Sequence, residues 1–306
     1  MQVVVATRRG GPEVLELQQK PQPKAGPDQI LIKVISAGIN FADALSVSGY
    51  YATAPQPPWT PGHEVAGHDV DSGRPVLAYV PSGGYAEYVV AKRAFAFDCD
   101  GLDLKKAGGW FLVSVAALCS LRDAARLRIG ETVLITAGAG GLGSAAIQIA
   151  KMLGAGRIIA VASTPEKRAF AIQHGANEAL AYEDPVPPID VFFDSVGSAE
   201  GYERRLEAVR QFGRVVLMGA SSGKAPEVPN FEVLRARNIG IFPFSWGVLR
   251  RDAPDRAADA AREVVHMIRE GHVRPPIWRS MPLQDVAAAH SLLLNRRTMG
   301  KVVLVS

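Results

Sequence analysis

The sequence predicts a two-part α/β chain, a β-rich module joined to a doubly wound parallel sheet, on three observations. From residue 111 to 244 apolar runs of strand length alternate with helical stretches, the rhythm of βαβ units. Residues 1–110 carry short β-like runs punctuated by Pro and Gly. A glycine pattern lies between an apolar run and a helical run within residues 132–150. The length of 306 residues agrees with about two domains.

In chain order, residues 30–35, 76–80 and 85–90 read as strands of the first region. Those of the second are 132–136, 158–162, 191–194, 214–219 and 239–244, with the proline-rich loop 185–188 between two of them. Residues 255–270 place apolar side chains at helical spacing, 286–294 form another helix, and 301–305 form a closing strand expected to rejoin the β-rich module. With 48% hydrophobic and 21% charged residues the chain can build a large core. A net charge of +4, from 34 basic and 30 acidic residues without a long Lys/Arg run, gives no reason to expect nucleic acid. Cys99 and Cys119 are too few for a disulfide framework or a thiolate metal site and read as small buried hydrophobes. The first residues lack the apolar core of a signal peptide and no 18-residue apolar run occurs, so no membrane partner and a cytoplasmic location are expected.

The run Thr132-Val133-Leu134-Ile135-Thr136 leads into Ala137-Gly138-Ala139-Gly140-Gly141-Leu142-Gly143 and then into a helix. Gly138, Gly140 and Gly143 fit G-x-G-x-x-G in the strand–turn–helix setting that the pattern requires. The first glycine is expected to allow the tight turn, the second to let a pyrophosphate approach the backbone, and the third to let helix pack on strand. The diphosphate then sits on the amides of the helix start, Gly141 and Leu142 included. An NAD site places Asp or Glu about 20 residues further on, at the tip of the second strand, to hold the ribose 2′-hydroxyl. Here that tip reads Ser163-Thr164-Pro165-Glu166-Lys167-Arg168, without an acid at the tip itself. Ser163, Thr164 and Lys167 suit a 2′-phosphate, so NADPH is expected over NADH.

The runs Ala37-Gly38-Ile39-Asn40-Phe41-Ala42-Asp43, Pro61-Gly62-His63-Glu64-Val65-Ala66-Gly67, Gly83-Gly84-Tyr85-Ala86-Glu87-Tyr88 and the glycine turn together resemble the medium-chain dehydrogenase/reductase superfamily, in its zinc-independent quinone oxidoreductase branch. Further echoes are Pro165-Glu166-Lys167, His174-Gly175-Ala176, the run from Asp190 to Gly197, and Gly300-Lys301, so the match covers nearly the whole chain. The resemblance implies a GroES-like β-barrel catalytic domain (1–110 and 250–306), a Rossmann NADPH-binding domain (111–249), an active site between them, and a homodimer. It implies hydride transfer from NADPH to a small-molecule quinone or conjugated carbonyl compound. An enoyl or enone reductase, a zinc-type alcohol dehydrogenase and a non-enzymatic NADPH-binding sensor are the alternatives. By the same resemblance Asn40 lies near the nicotinamide ribose and the substrate carbonyl, and Tyr50 or Tyr51 faces the substrate. Tyr182 touches the 2′-phosphate, Gly197 and Gly219 end strands at the cofactor edge, and Phe242 to Phe244 pass near the nicotinamide. Lys301 is either a cofactor contact or a solvated strand end.

In the alcohol dehydrogenases of this superfamily the catalytic zinc is held by a Cys in the first motif, the His of Gly-His-Glu and a third residue near the interdomain helix. Here the first position is Asn40, and residues 110–118 offer no third thiol. A catalytic zinc needs about three protein ligands and an open position, so no metal is expected; His63, Glu64 and Asp43 form the alternative ligand set. Without a Lewis acid, hydrogen-bond donors must stabilise the developing oxyanion, and Asn40 is the candidate. The chain departs from the family pattern where its motif continues to an Arg and a Gly. The Arg position is Val47, before Gly49, so a loop normally pinned by charge loses its cation. The span from Gly67 to Val76 is short, which trims a hairpin. Trp59, Trp110, Phe244 and Trp246 are candidate walls for a planar substrate, or else core.

Overall fold

The computed structural model describes residues 1–51, 54–197, 200–219, 221–222 and 226–306. They form two units: Met1–Leu112 with Ala261–Gly271 and Pro275–Ser306, and Val113–Ala260 with His272–Arg274.

The first unit begins with an antiparallel pair, β1 (Gln2–Ala6) and β2 (Leu15–Gln19). Its sheet is organised by β3 (Gln29–Ile39), eleven residues long, whose first half pairs with β6 (Tyr88–Lys92). β4 (Glu64–Asp69) runs antiparallel beside β3, and the pairing shifts register between Val34 and Ser36. Such a shift bends a strand and increases its twist, letting β3 serve different neighbours along its length. β5 (Pro75–Tyr79) follows β4 through the trimmed hairpin, closed by Asp69 N–H on the Arg74 carbonyl with Gly73 at φ 70°, and β7 (Ala96–Asp98) pairs with β5. Ile30, Ile32, Val34, Val65, Val76, Ala78 and Val89 supply the buried face and draw Trp59 into the same core.

The second unit is a parallel sheet of β8 (Thr132–Thr136), β9 (Arg157–Val161), β10 (Glu178–Leu180), β11 (Ile189–Asp194), β12 (Val209–Leu217) and β13 (Gly240–Pro243). Their spatial order is β10-β9-β8-β11-β12-β13, the doubly wound order whose reversal beside the first strand creates a ligand crevice at the carboxyl ends. Every residue of β8 is buried, as parallel strands covered on both faces must be. The chain then returns: β14 (Ile277–Pro282) lies parallel to β15 (Lys301–Val305), and β15 pairs antiparallel with the last residues of β3, Val302 opposite Ile39. The expected closing strand therefore rejoins the β-rich module. β10 and β14 were not anticipated, the first being three residues long and the second lacking clean alternation behind two prolines. The helix Pro254–Arg269 buries Ala257, Ala261, Val264, Val265 and Ile268, the stripe its spacing predicts. Among the described residues no helix is long and apolar enough to cross a membrane.

Candidate active site

The glycine turn joins β8 to the helix Gly141–Met152, with Gly140 as its N-cap. The left-handed residue of the turn is Ala137, at φ 50°, rather than the first glycine. Gly138 is needed for a different reason: a Cβ there would meet the Ala160 Cβ of β9 at 2.6 Å. At Gly143 a Cβ would run into the Ala137 carbonyl oxygen and come within 2.7 Å of the Gly138 Cα, so only glycine lets this helix sit on the turn. A Cβ at Gly140 would meet nothing nearer than the Ala137 oxygen at 3.2 Å. Gly140, Gly141 and Leu142 are partly exposed, and the first-turn amides have no acceptor within the helix. Bare backbone beside free amides and a helix dipole fits a dinucleotide diphosphate. Gly143→Ala is expected to weaken NADPH binding by roughly ten- to hundredfold, the equivalent of about 1–3 kcal/mol of overpacking. Titration calorimetry with NADPH reads this directly; unchanged affinity would place the diphosphate elsewhere.

At the tip of β9, Ser163 is exposed and Thr164 caps the helix Pro165–Gln173, its Oγ1 accepting the Lys167 N–H at 3.3 Å. Arg168 turns back to donate to the Ala162 carbonyl at 3.3 Å. The Tyr182 ring lies under the guanidinium of Arg205, 5.2 Å from the ring centre, and the Tyr182 carbonyl accepts from Arg205 Nη1 at 3.4 Å. Gly197, at φ 84°, follows β11 and Gly219 follows β12, at the carboxyl edge of the sheet. The last residue of β11, beside β8, is one the sequence reading did not single out, Asp194. Its carboxylate accepts the Thr136 hydroxyl at 2.7 Å and the Val196 and Gly197 amides at 3.1 and 3.0 Å. Burial pushes its carboxyl above the usual range, and these three donors hold it back. Phe242 lies in β13 opposite Val216, and the Phe244 amide donates to the Leu217 carbonyl at 3.0 Å.

The first unit gathers its polar residues at the end of β3. Asn40 is the N-cap of the helix Phe41–Ser48, and its backbone N–H donates to Asp43 Oδ2 at 2.7 Å. Its side-chain Nδ2 donates to Glu64 Oε1 at 2.9 Å and to the Gly38 carbonyl at 3.4 Å, while its Oδ1 accepts from Lys301 Nζ at 2.7 Å. Lys301 also donates to Glu64 Oε1 at 2.9 Å and to the Ile39 carbonyl at 2.8 Å. The other Glu64 oxygen accepts the Leu112 amide at 2.8 Å. Lys301 is 2% exposed and Glu64 fully buried, so Lys301 is not a solvated strand end: its chain meets a carboxylate waiting on β4. This also changes the part open to Asn40, since both of its amide hydrogens are committed inside the cluster.

Beside it, His63 Nδ1 pairs with Asp43 Oδ1. Burial pulls the Asp43 carboxyl upward, but His63 and the Asn40 amide bring it below the ordinary carboxylate range. Tyr85 is buried, and burial and the nearby Asp43 carboxylate raise its phenol well above its usual value. His290 Nε2 lies 3.3 Å from the Tyr85 oxygen. Burial holds the His290 imidazole down to about 4, so it is neutral near pH 7. Tyr50 and Tyr51 stand outside this cluster, half and about one-third exposed, packed edge to face at 5.4 Å. Burial, with Tyr50 and Asp43 adding, raises the Tyr51 hydroxyl, which therefore stays a proton donor.

These residues do not fit a catalytic zinc. Both Glu64 oxygens are occupied by Lys301, Asn40 and the Leu112 amide, and an ammonium already neutralises that carboxylate. Asp43 and His63 face each other, and among the described residues no three His, Cys, Asp or Glu come together in a way that could hold a metal ion. Trp59, Trp110 and Trp246 are buried, whereas Phe244 is partly exposed.

Comparison with known proteins matches residues 26–79 to the alcohol dehydrogenase GroES-like domain and residues 141–263 to the family described as zinc-binding dehydrogenase. A quinone oxidoreductase of Pseudomonas aeruginosa is 33% identical, with 97% of each chain covered. The quinone oxidoreductase of Thermus thermophilus, solved alone and with NADPH, superposes with a TM-score of 0.89 at 34% identity over all of both chains. That of Escherichia coli, solved with NADPH, gives 0.89 at 27%, again over all of both chains.

Proposed function

The chain belongs to the medium-chain dehydrogenase/reductase superfamily, in its quinone oxidoreductase branch, and on that premise we propose that it is an NADPH-dependent, zinc-independent reductase of quinones or conjugated carbonyl compounds. The observation that carries the reading is the β8 turn, where Gly138 and Gly143 are required by close packing and Gly140 leaves backbone and amides open. Ser163, exposed at a strand tip without an acid of its own, together with Thr164, Lys167 and Tyr182, favours the 2′-phosphate of NADPH. When bound, NADPH supplies the hydride.

The protein's part is to hold and polarise the acceptor. Tyr51 keeps its proton and is accessible, so it is the donor to the acceptor oxygen. Asn40 acts through the cluster, where Lys301 and Glu64 fix its carboxamide and its N-cap position starts the helix that leads to Tyr50 and Tyr51. Lys301 provides the positive charge beside Glu64 and occupies the carboxylate that a metal would need, which supports the zinc-independent reading. β13 is an edge strand carrying the exposed Phe242, which supports a homodimer formed along that edge. We place the enzyme in the cytoplasm.

Consumption of NADPH, with NADH as control, against a benzoquinone, a naphthoquinone, a linear enone and a simple aldehyde tests this. Turnover with NADPH on quinones or the enone is expected. Cofactor binding without turnover on any acceptor would replace the enzyme with a sensor, and turnover of the aldehyde that is lost with chelator would restore a metal.

A further inference from the structure

The loop after the helix Phe41–Ser48 lacks its expected cation, because Val47 is a core residue, 2% exposed. A cation is nevertheless present, and it comes from a different part of the chain. Arg9, between β1 and β2, donates from Nη1 to the Ser46 carbonyl at 2.9 Å and from Nη2 to the Ala54 carbonyl at 3.1 Å. The neighbouring Gly10 amide donates to the Val47 carbonyl at 3.2 Å. The stem of Arg9 lies against Gly49, whose left-handed φ of 85° ends the helix; a Cβ on Gly49 would sit 3.2 Å from Arg9 Cδ. We propose that Arg9 is the positioning residue of the acceptor-side loop, a clamp whose planar fork ties the helix end before Tyr50 and Tyr51 to the backbone after them.

The chemistry favours arginine over any other residue here. Two carbonyls facing one side chain need a donor with two divergent N–H groups held in a plane, which guanidinium has and ammonium does not. A cation at a helix C-terminus also meets the negative end of the dipole, and the Ser46 carbonyl, which accepts the Gly49 N–H, has a second lone pair for it. The loop keeps bonds of its own, Gly49 N–H to Ser46, Tyr50 N–H to Leu45 and Ala54 N–H to Tyr51. Loss of the clamp should therefore loosen the loop without unfolding the unit.

The catalytic consequence rests on the reading of Tyr51 given above, so two readouts are paired. In Arg9→Ala, exchange of the Tyr50 and Ala54 amides is expected to quicken about tenfold. KM for the quinone should rise about tenfold while the Kd for NADPH stays within about twofold, a misplacement cost confined to the acceptor. Arg9→Lys should recover less than half of the loss. Millimolar methylguanidinium should restore activity to Arg9→Ala but not raise it in the wild type. Unchanged exchange in Arg9→Ala would overturn the clamp. Quickened exchange with an unchanged quinone KM would keep the clamp and overturn the assignment of Tyr51 to the acceptor.

Discussion

Lys301→Met is expected to destabilise the first unit by about 3–5 kcal/mol, the cost of leaving one member of a buried ion pair without its partner. Lys301 and Glu64 are 2% and 0% exposed, and the ammonium also satisfies Asn40 Oδ1 and the Ile39 carbonyl. Removing it strands a carboxylate and two acceptors in a place water cannot reach. Loss of protection of the β3 and β15 amides in hydrogen exchange reports on this unit alone, which matters because a chain of two units need not unfold in one step. Adding Glu64→Gln to Lys301→Met should recover part of the loss, with a coupling between the two of about 0.5–3 kcal/mol. Stability within about 1 kcal/mol of wild type for Lys301→Met would mean that the cluster admits water and that Asn40 is not held by it.

The second large effect is a pH slope from His290. The unfolded chain binds a proton on this imidazole near 6.5, whereas the folded protein, which buries it beside Tyr85, binds one only at about 4. Between these values the unfolded state holds more protons, so stability rises with pH across the window and is lost as pH falls through it. The full loss is about 3 kcal/mol. Asp43, whose carboxyl is lowered, keeps its contribution throughout this window and gives it up only below its ordinary value of 3.8. Asp194, raised by burial, has the opposite sign, which is why the comparison must be with a variant rather than with zero. His290→Gln leaves Tyr85 a polar partner that can either donate or accept, and cannot charge. Urea unfolding of both proteins at intervals from pH 7 to pH 4 should show the wild type losing about 3 kcal/mol relative to the variant. Parallel curves would show that the imidazole finds a way to hold a proton in the folded state.

The second unit was the more legible half of the chain. Its signals are local: strand-length apolar runs, helical runs between them, and three glycines whose spacing is itself the chemistry. Yet the reason for the first glycine was misjudged, since Ala137 takes the left-handed conformation and Gly138 makes room for Ala160, a residue of the adjacent strand. The polar cluster was legible only as a set of residues. Asn40, His63 and Glu64 stood out in their motifs, but nothing near Gly300-Lys301 tells that a carboxylate 237 positions away will receive the lysine. Arg9 was missed for the same reason: it bonds Ser46 and Ala54, 37 and 45 residues on, and the departure at Val47 read only as a loop that had lost its cation. Asp194 could have been found, since an acid ending an apolar strand and followed by Ser-Val-Gly needs amide or hydroxyl donors to be tolerated there.

The pairing of β15 with β3 has a consequence for how the molecule is made. Lys301 and the Ile39 carbonyl are 262 residues apart, and at a translation rate of about 5–20 residues per second they leave the ribosome many seconds apart. Throughout that interval β3 presents an unpaired edge, and Glu64 lacks the cation that makes its burial tolerable. The nascent N-terminal segment must therefore stay hydrated and incomplete while the intervening parallel sheet assembles from its own nearer contacts. Chaperone demand and sensitivity to truncation should both be concentrated in the half of the protein that is synthesised first.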